Sequence, residues 1–204
     1  CTKSSTSASF ETLMVDESEL VSMADFEEVS SEGMYTLMSS KVLPVGSLVW
    51  MIDHFVAAAL IPGETAAPLA HVDFVDMNTL EQYTVLYEAL GRSEGYDIYE
   101  IKGSTTAVAW VEYNYTSFDW RFYAAPYQGV SSLGDAILLD EGDVNFDPPL
   151  FTVAGAIIVW QHLPNENGLY STGESYLYSQ TLGGQRTTLI TSYGRLIAAP
   201  EKSV

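Results

Sequence analysis

The chain has 204 residues, enough for one large domain or a compact repeat array with a sizeable core. Its 27 acidic against 8 basic residues leave a formal charge of −19, which repels phosphate backbones and argues against a nucleic-acid partner. Apolar residues make up 47% and charged residues 17%, the balance of a folded chain rather than a disordered one.

In chain order, Cys1 is followed by a Ser/Thr-rich stretch that reads as a flexible tether over residues 1–12. Helix is expected around Glu17 to Glu28, inside a leader that carries eight of the acidic residues before position 33. The most apolar run, Leu48 to Ile61, is shorter than the ~20 residues a spanning helix needs. Asp53 and His54 interrupt it, so it reads as two adjoining strands with a polar turn between them. Leu69–Asp76 follows as a strand, and Thr79–Leu90 is either a helix or, through Gln82–Tyr87, another strand. Val108–Tyr115 and Trp120–Tyr123 alternate apolar and polar residues, with a turn over 115–119 and Arg121 facing away from its neighbours. Thr187–Tyr193 and Arg195–Pro200 form a closing strand pair hinged near Gly194. Thirteen tyrosines and four tryptophans suit sheet surfaces better than helix faces.

Three stretches repeat a glycine, an apolar run and a tryptophan: Gly46 to Trp50, Gly103 to Trp110 and Gly155 to Trp160. The tryptophans are 60 and 50 residues apart, the spacing of a repeated supersecondary unit. Glu94-Gly95 leads into the second run, Glu141-Gly142 into the third, and a fainter Glu32-Gly33 into the first. Downstream, Leu69–Asp76, Asp119–Pro126 and Ser175–Leu182 fall at corresponding places. With its Gly-x-x-Val-x-Trp strand, its aromatic strand ending in Ala-Ala-Pro and its Leu-Leu-Asp-Glu-Gly turn at 138–142, the chain resembles a bacterial β-propeller of the broad TolB/WD40-like kind over roughly residues 32–200. No Gly-His…Trp-Asp pair is present. The fold expected is all-β, with propeller-like repeats making about four blades, complete or part of a larger ring; the alternative is an antiparallel β-sandwich. The repeat domain would cover 13–204, with units of about 46–102, 103–154 and 155–204.

Cys1, the only cysteine, stands before the polar tract as in a mature bacterial lipoprotein, and this resemblance implies a lipid on its side chain as the sole membrane anchor, outside the cytoplasm. A single thiol excludes an internal disulfide. Asp140, Asp143, Asn145 and Asp147 put oxygen ligands at spacings a calcium loop could use, although the glycine and distant glutamate of an EF-hand are missing. Polar turn residues account for the same pattern, and no other cofactor is expected. Asp53-His54 and His71-Val72-Asp73 are the His/carboxylate groupings; a zinc site would need His162 to join from another unit. The aromatic surplus around Tyr113, Tyr115, Trp120, Tyr123 and Tyr127, and around Tyr170, Tyr176 and Tyr178, suits either packing between sheets or a glycan- or peptide-binding surface. No nucleophile elbow or phosphate loop is present. The expected role is a non-enzymatic binding scaffold for a protein, peptide or glycan, its ligand residues Asp53, His71, His162 and Trp120 meeting on a central face. One alternative is an extracellular polysaccharide hydrolase or lyase using carboxylates there. The other is a structural subunit that completes its ring by self-assembly.

Overall fold

A computed structural model describes residues 39–64 and 69–193, and these form an all-β, antiparallel fold. The first four strands are β1 (Leu48–Met51), β2 (Val56–Pro62), β3 (Leu69–Asp76) and β4 (Gln82–Leu86). The next four are β5 (Asp97–Gly103), β6 (Ala107–Tyr113), β7 (Trp120–Pro126) and β8 (Ile137–Gly142). A two-residue strand β9 (Phe146–Asp147) precedes β10 (Phe151–Ala154), β11 (Ile157–Pro164), β12 (Glu174–Thr181) and β13 (Thr187–Tyr193). The helix-or-strand ambiguity at Thr79–Leu90 resolves to strand β4, because its residues pair with β3. The expected helix at Glu17–Glu28, the tether, Cys1 and the Arg195–Pro200 strand lie outside the described residues.

These strands make three successive four-stranded meanders. The first two belong to one eight-stranded sheet, ordered β1-β2-β3-β5-β6-β7-β8 with β4 beside β3. Among the described residues their only ladder contact is the pair Leu69–Ile98, so the sheet folds over at that joint. The third meander is a separate sheet, β10-β11-β12-β13, with β9 pairing the end of β11.

Strand alternation then decides the packing. Along β6, Val108 and Trp110 point to the first meander, where Ala58, Leu60, Val72 and Phe74 meet them. The intervening Ala109 and Val111, with Trp120, Phe122 and Ala124 of β7, point the other way onto Phe151, Ile158 and Trp160 of the third meander. Both faces of the central meander are therefore buried, which is why β6 reads as a continuous apolar run. Arg121 does face away from Trp120 and Phe122, as alternation requires.

The first strands of the meanders are neighbours: β1 lies against β5, and β5 against β10. Lys102 Nζ donates to the Phe151 carbonyl (3.0 Å) and Ser104 Oγ to the Gly155 carbonyl (2.7 Å), tying β5 and its hairpin to β10 and its hairpin. Trp110 and Trp160 occupy matching places on the second strands β6 and β11. Trp50 does not; it stands on the first strand β1, and β2 carries only small and aliphatic residues.

One buried acid pins the link between the first two meanders. Glu112 has no solvent exposure, and its carboxylate accepts hydrogen bonds from Leu90 N (2.7 Å), Gly91 N (2.8 Å) and Trp110 Nε1 (3.1 Å). Removing it leaves two buried donors, Gly91 N and Trp110 Nε1, without an acceptor, each costing about 1–3 kcal/mol, and frees the partly buried Leu90 N. Glu112→Ala is expected to lower unfolding free energy by at least about 2 kcal/mol, read as a lower urea midpoint at unchanged m.

Candidate functional site

Hairpins β1–β2, β3–β4, β5–β6, β7–β8, β10–β11 and β12–β13 turn at one end of the meanders. The links leaving β4, β6, β8 and β11 turn at the other. At this second end, Asn114 locks two links together. Its Oδ1 accepts from Thr116 N (2.9 Å) and Ser117 N (3.2 Å), while its Nδ2 donates to the Glu94 carbonyl (3.1 Å). The tight turn holds Phe118 in the left-handed region, with φ of 63°, and delivers Asp119 to the strand end.

Between these links lies a cleft of about 330 Å³ lined by Tyr96, Asp119, Trp120, Glu141, Gly142 and Asp143. Trp120 is fully buried beneath it, its Nε1 donating to the Phe146 carbonyl at 3.1 Å. Beside the cleft the Arg121 guanidinium stacks over the Tyr96 ring at 4.3 Å and forks onto Glu94 at 2.9 and 2.6 Å. That pairing holds the Glu94 carboxyl below its ordinary range and the guanidinium above its own. Burial raises the Tyr96 phenol, with Arg121 opposing and Asp119, Glu94 and Glu141 adding to the rise. Arg121 is thus committed to Glu94, and Asp119, Glu141 and Asp143 line the cleft as carboxylates.

Next to this cleft, Asp140 bridges the second and third meanders. Its Oδ2 accepts from Trp160 Nε1 (2.8 Å) and His162 Nδ1 (3.0 Å), and Arg186 lies 3.4 Å from Oδ1. The His162 ring sits among Phe146 (4.5 Å), Trp120 (5.6 Å), Tyr178 (6.2 Å) and Tyr176 (6.4 Å). Tyr176 donates its hydroxyl to Glu174, which pushes the phenol up to about 12.

The other residues singled out in the sequence take separate places. Asp53 is at the opposite end, in the β1–β2 turn, where Oδ1 accepts from Phe55 N (2.6 Å) and Val56 N (2.8 Å). His71 lies on the β3 face turned away from the central meander, 3.5 Å from Asp73 Oδ2, so the whole central meander separates it from His162. Asp53, His71 and His162 share no surface; strand parity and hairpin direction part them. The oxygen-rich loop also disperses. Asp143 Oδ1 accepts from Asn145 N (2.9 Å), Asn145 Oδ1 from Leu169 N (3.2 Å) and Asp147 Oδ1 from Asn165 Nδ2 (2.8 Å), while Asp140 turns to His162. Among the described residues no three His, Cys, Asp or Glu side chains are placed to hold a metal ion.

Sequence reasoning missed Tyr96, Asp119 and Glu141 as cleft residues. Their signal was their position: each stands at a strand end next to a link, in Gly95-Tyr96, Asp119-Trp120 and Glu141-Gly142. Comparison with protein-family models, curated proteins and solved structures finds no match in any of the three.

Two outcomes test this geometry. A Cβ at Gly142 would collide with the Trp120 indole, so Gly142→Ala is expected to cost about 1–3 kcal/mol in chemical denaturation. For Tyr176, the raised phenol means that stability from its bond to Glu174 is present below about pH 10 and fades as pH rises toward 12. Glu174→Gln removes the charged acceptor, so one tyrosine in an absorbance titration should move from near pH 12 down toward 10.

Proposed function

We propose that this chain is the folded part of a bacterial cell-surface lipoprotein, a propeller-like, non-enzymatic scaffold that binds a glycan or a peptide at its loop end. The propeller-like reading is supported by three four-stranded meanders stacked face to face with their first strands adjacent, the arrangement of blades around an axis. The lipoprotein reading rests on Cys1 before its Ser/Thr tract. The binding reading is carried by the cleft between the links, where three carboxylates and two aromatic rings meet. Carboxylates accept hydrogen bonds, while the Trp120 and Tyr96 rings are buried in the wall behind them, so the matching ligand is rich in donors: sugar hydroxyls or basic side chains.

Isothermal titration against an oligosaccharide panel and Lys/Arg-rich peptides tests this. Saturable binding weakened at least about tenfold by Asp119→Asn or Glu141→Gln is expected, the loss of a charged acceptor being worth about 1.5–3 kcal/mol. A surface that binds neither class would remove the scaffold reading. Reducing ends released from a polysaccharide and abolished by Glu141→Gln would replace it with a hydrolase. Intact mass of the protein extracted from cells reads the lipid on Cys1.

A further inference from the structure

The link that carries Asp143 into the cleft also helps to build a second hollow, and its chemistry is different. The hollow has a volume of about 320 Å³ and is lined by Val144, Asn145, Asn165, Asn167, Gly168 and Leu169. The two sites adjoin. Asp143 lines the cleft, Val144 and Asn145 line the hollow, and Asn145 Nδ2 donates to Asp143 Oδ2 at 3.2 Å. Three carboxylates face the cleft, whereas none of the described residues lining the hollow is charged.

Backbone hydrogen bonds shape the hollow by joining the β8–β9 link to the β11–β12 link. Asn165 N donates to the Asn145 carbonyl (2.6 Å), Gly168 N to the Asn165 carbonyl (3.0 Å) and Leu169 N to Asn145 Oδ1 (3.2 Å). A Cβ at Gly168 would stand 3.1 Å from the Asn145 carbonyl oxygen, so glycine lets the two backbones come this close. Asn165 is held in the same manner, its Oδ1 accepting from Asn167 N (2.9 Å) and its Nδ2 donating to Asp147 Oδ1 (2.8 Å). An amide carries two donors and two lone pairs, so Asn145 and Asn165 keep donor and acceptor capacity beyond these bonds.

Beside the amides stands apolar surface that solvent reaches. Tyr170 lies on the Phe146 ring, 5.9 Å between centroids and 26° from parallel, yet is 53% exposed. Val144 and Leu169 in the lining are 53% and 86% exposed. The cleft has no such surface, because its Trp120 and Tyr96 rings are buried.

Resting on the binding-scaffold reading above, we propose that the hollow is a second subsite adjoining the cleft, and that the ligand spanning both is a neutral oligosaccharide rather than a basic peptide. A sugar ring carries hydroxyls round its rim, each both donor and acceptor, and C–H groups on its faces. Fixed amides match the hydroxyls, and Tyr170, Val144 and Leu169 match the faces. A Lys or Arg side chain would bring a charge that no lining residue of the hollow meets. A peptide main chain would need backbone partners, and here they are already engaged. The N–H groups of Asn145, Phe146, Asn165, Asn167, Gly168 and Leu169 all donate within the two links.

The test is isothermal titration of the full chain with neutral linear oligosaccharides, from disaccharides to hexasaccharides, and with Lys/Arg-rich peptides, at low and high salt. The longer oligosaccharides are expected to bind at least about tenfold more tightly than disaccharides, since they alone reach both subsites, and equally well at both salt concentrations. Asp119→Asn in the cleft and Tyr170→Ala beside the hollow should each weaken hexasaccharide binding at least about tenfold. Tyr170→Phe keeps the ring and should retain the affinity. Asn167→Ala, at an exposed position, reads the hollow without touching the Phe146 stack, and urea denaturation checks that each variant stays folded. Hexasaccharide binding weakened by Asp119→Asn but by neither Tyr170→Ala nor Asn167→Ala overturns the second subsite and leaves the scaffold reading standing. Saturable binding of the peptides alone, lost at high salt, overturns the glycan assignment and likewise leaves the scaffold standing. A chain that binds neither class loses the scaffold reading and this subsite together.

Discussion

The structure depends on burying the central meander from both sides. Trp110 fills one interface and Trp120 with Phe122 the other, from strands that lie next to each other in the same sheet. Truncating one such aromatic typically costs about 3–5 kcal/mol, a large share of a domain's net stability. Because β6 serves both interfaces, a one-residue slip in its register would exchange Val108 and Trp110 for Ala109 and Val111 on each side. That penalty keeps the β5–β6 and β6–β7 ladders in place and fixes where the links at the strand ends emerge.

Each buried tryptophan also brings a polar obligation, and these obligations organise the loop end. Trp110 Nε1 is met by Glu112, Trp160 Nε1 by Asp140 and Trp120 Nε1 by the Phe146 carbonyl. Glu112 then uses its remaining acceptor capacity to hold the link entering the second meander, and Asp140 to hold His162 of the third. Acids that would otherwise be surplus charge thus become ties between meanders, while Asp119, Glu141 and Asp143 are left around the cleft. Asp143, Asn145 and Asp147 are drawn into bracing their own loop by the same need of backbone and amide N–H groups for acceptors.

Particular residues show how far the sequence could be read. The antiparallel all-β class followed from alternation and aromatic content. Strands stand at Leu69–Asp76, Trp120–Pro126 and Glu174–Thr181, stretches whose β-branched and aromatic content reads as strand. Trp50 misled, because a tryptophan after a glycine looks the same whether it stands on the first strand of a meander or the second. The candidate site was legible only in its parts. Trp120 was singled out and does underlie the cleft, but Tyr96, Asp119 and Glu141 come together only when three separate links converge.

The amino-acid order by itself determined the strand type, the turn positions and the acidic net charge, since these follow from local periodicity, turn chemistry and summed charge. It placed polar turns at Asp53-His54 and at 115–119, and in the structure the short oxygen-bearing side chains of Asp53 and Asn114 cap the N–H groups that follow them. Which face of each strand is buried, which carboxylate meets a tryptophan and which meets solvent, and that His71 and His162 stand on opposite sides of the central meander were decided only by tertiary structure. The physical reason is that alternation sorts side chains into two faces but does not say what each face packs against. That depends on the stacking of one meander on the next.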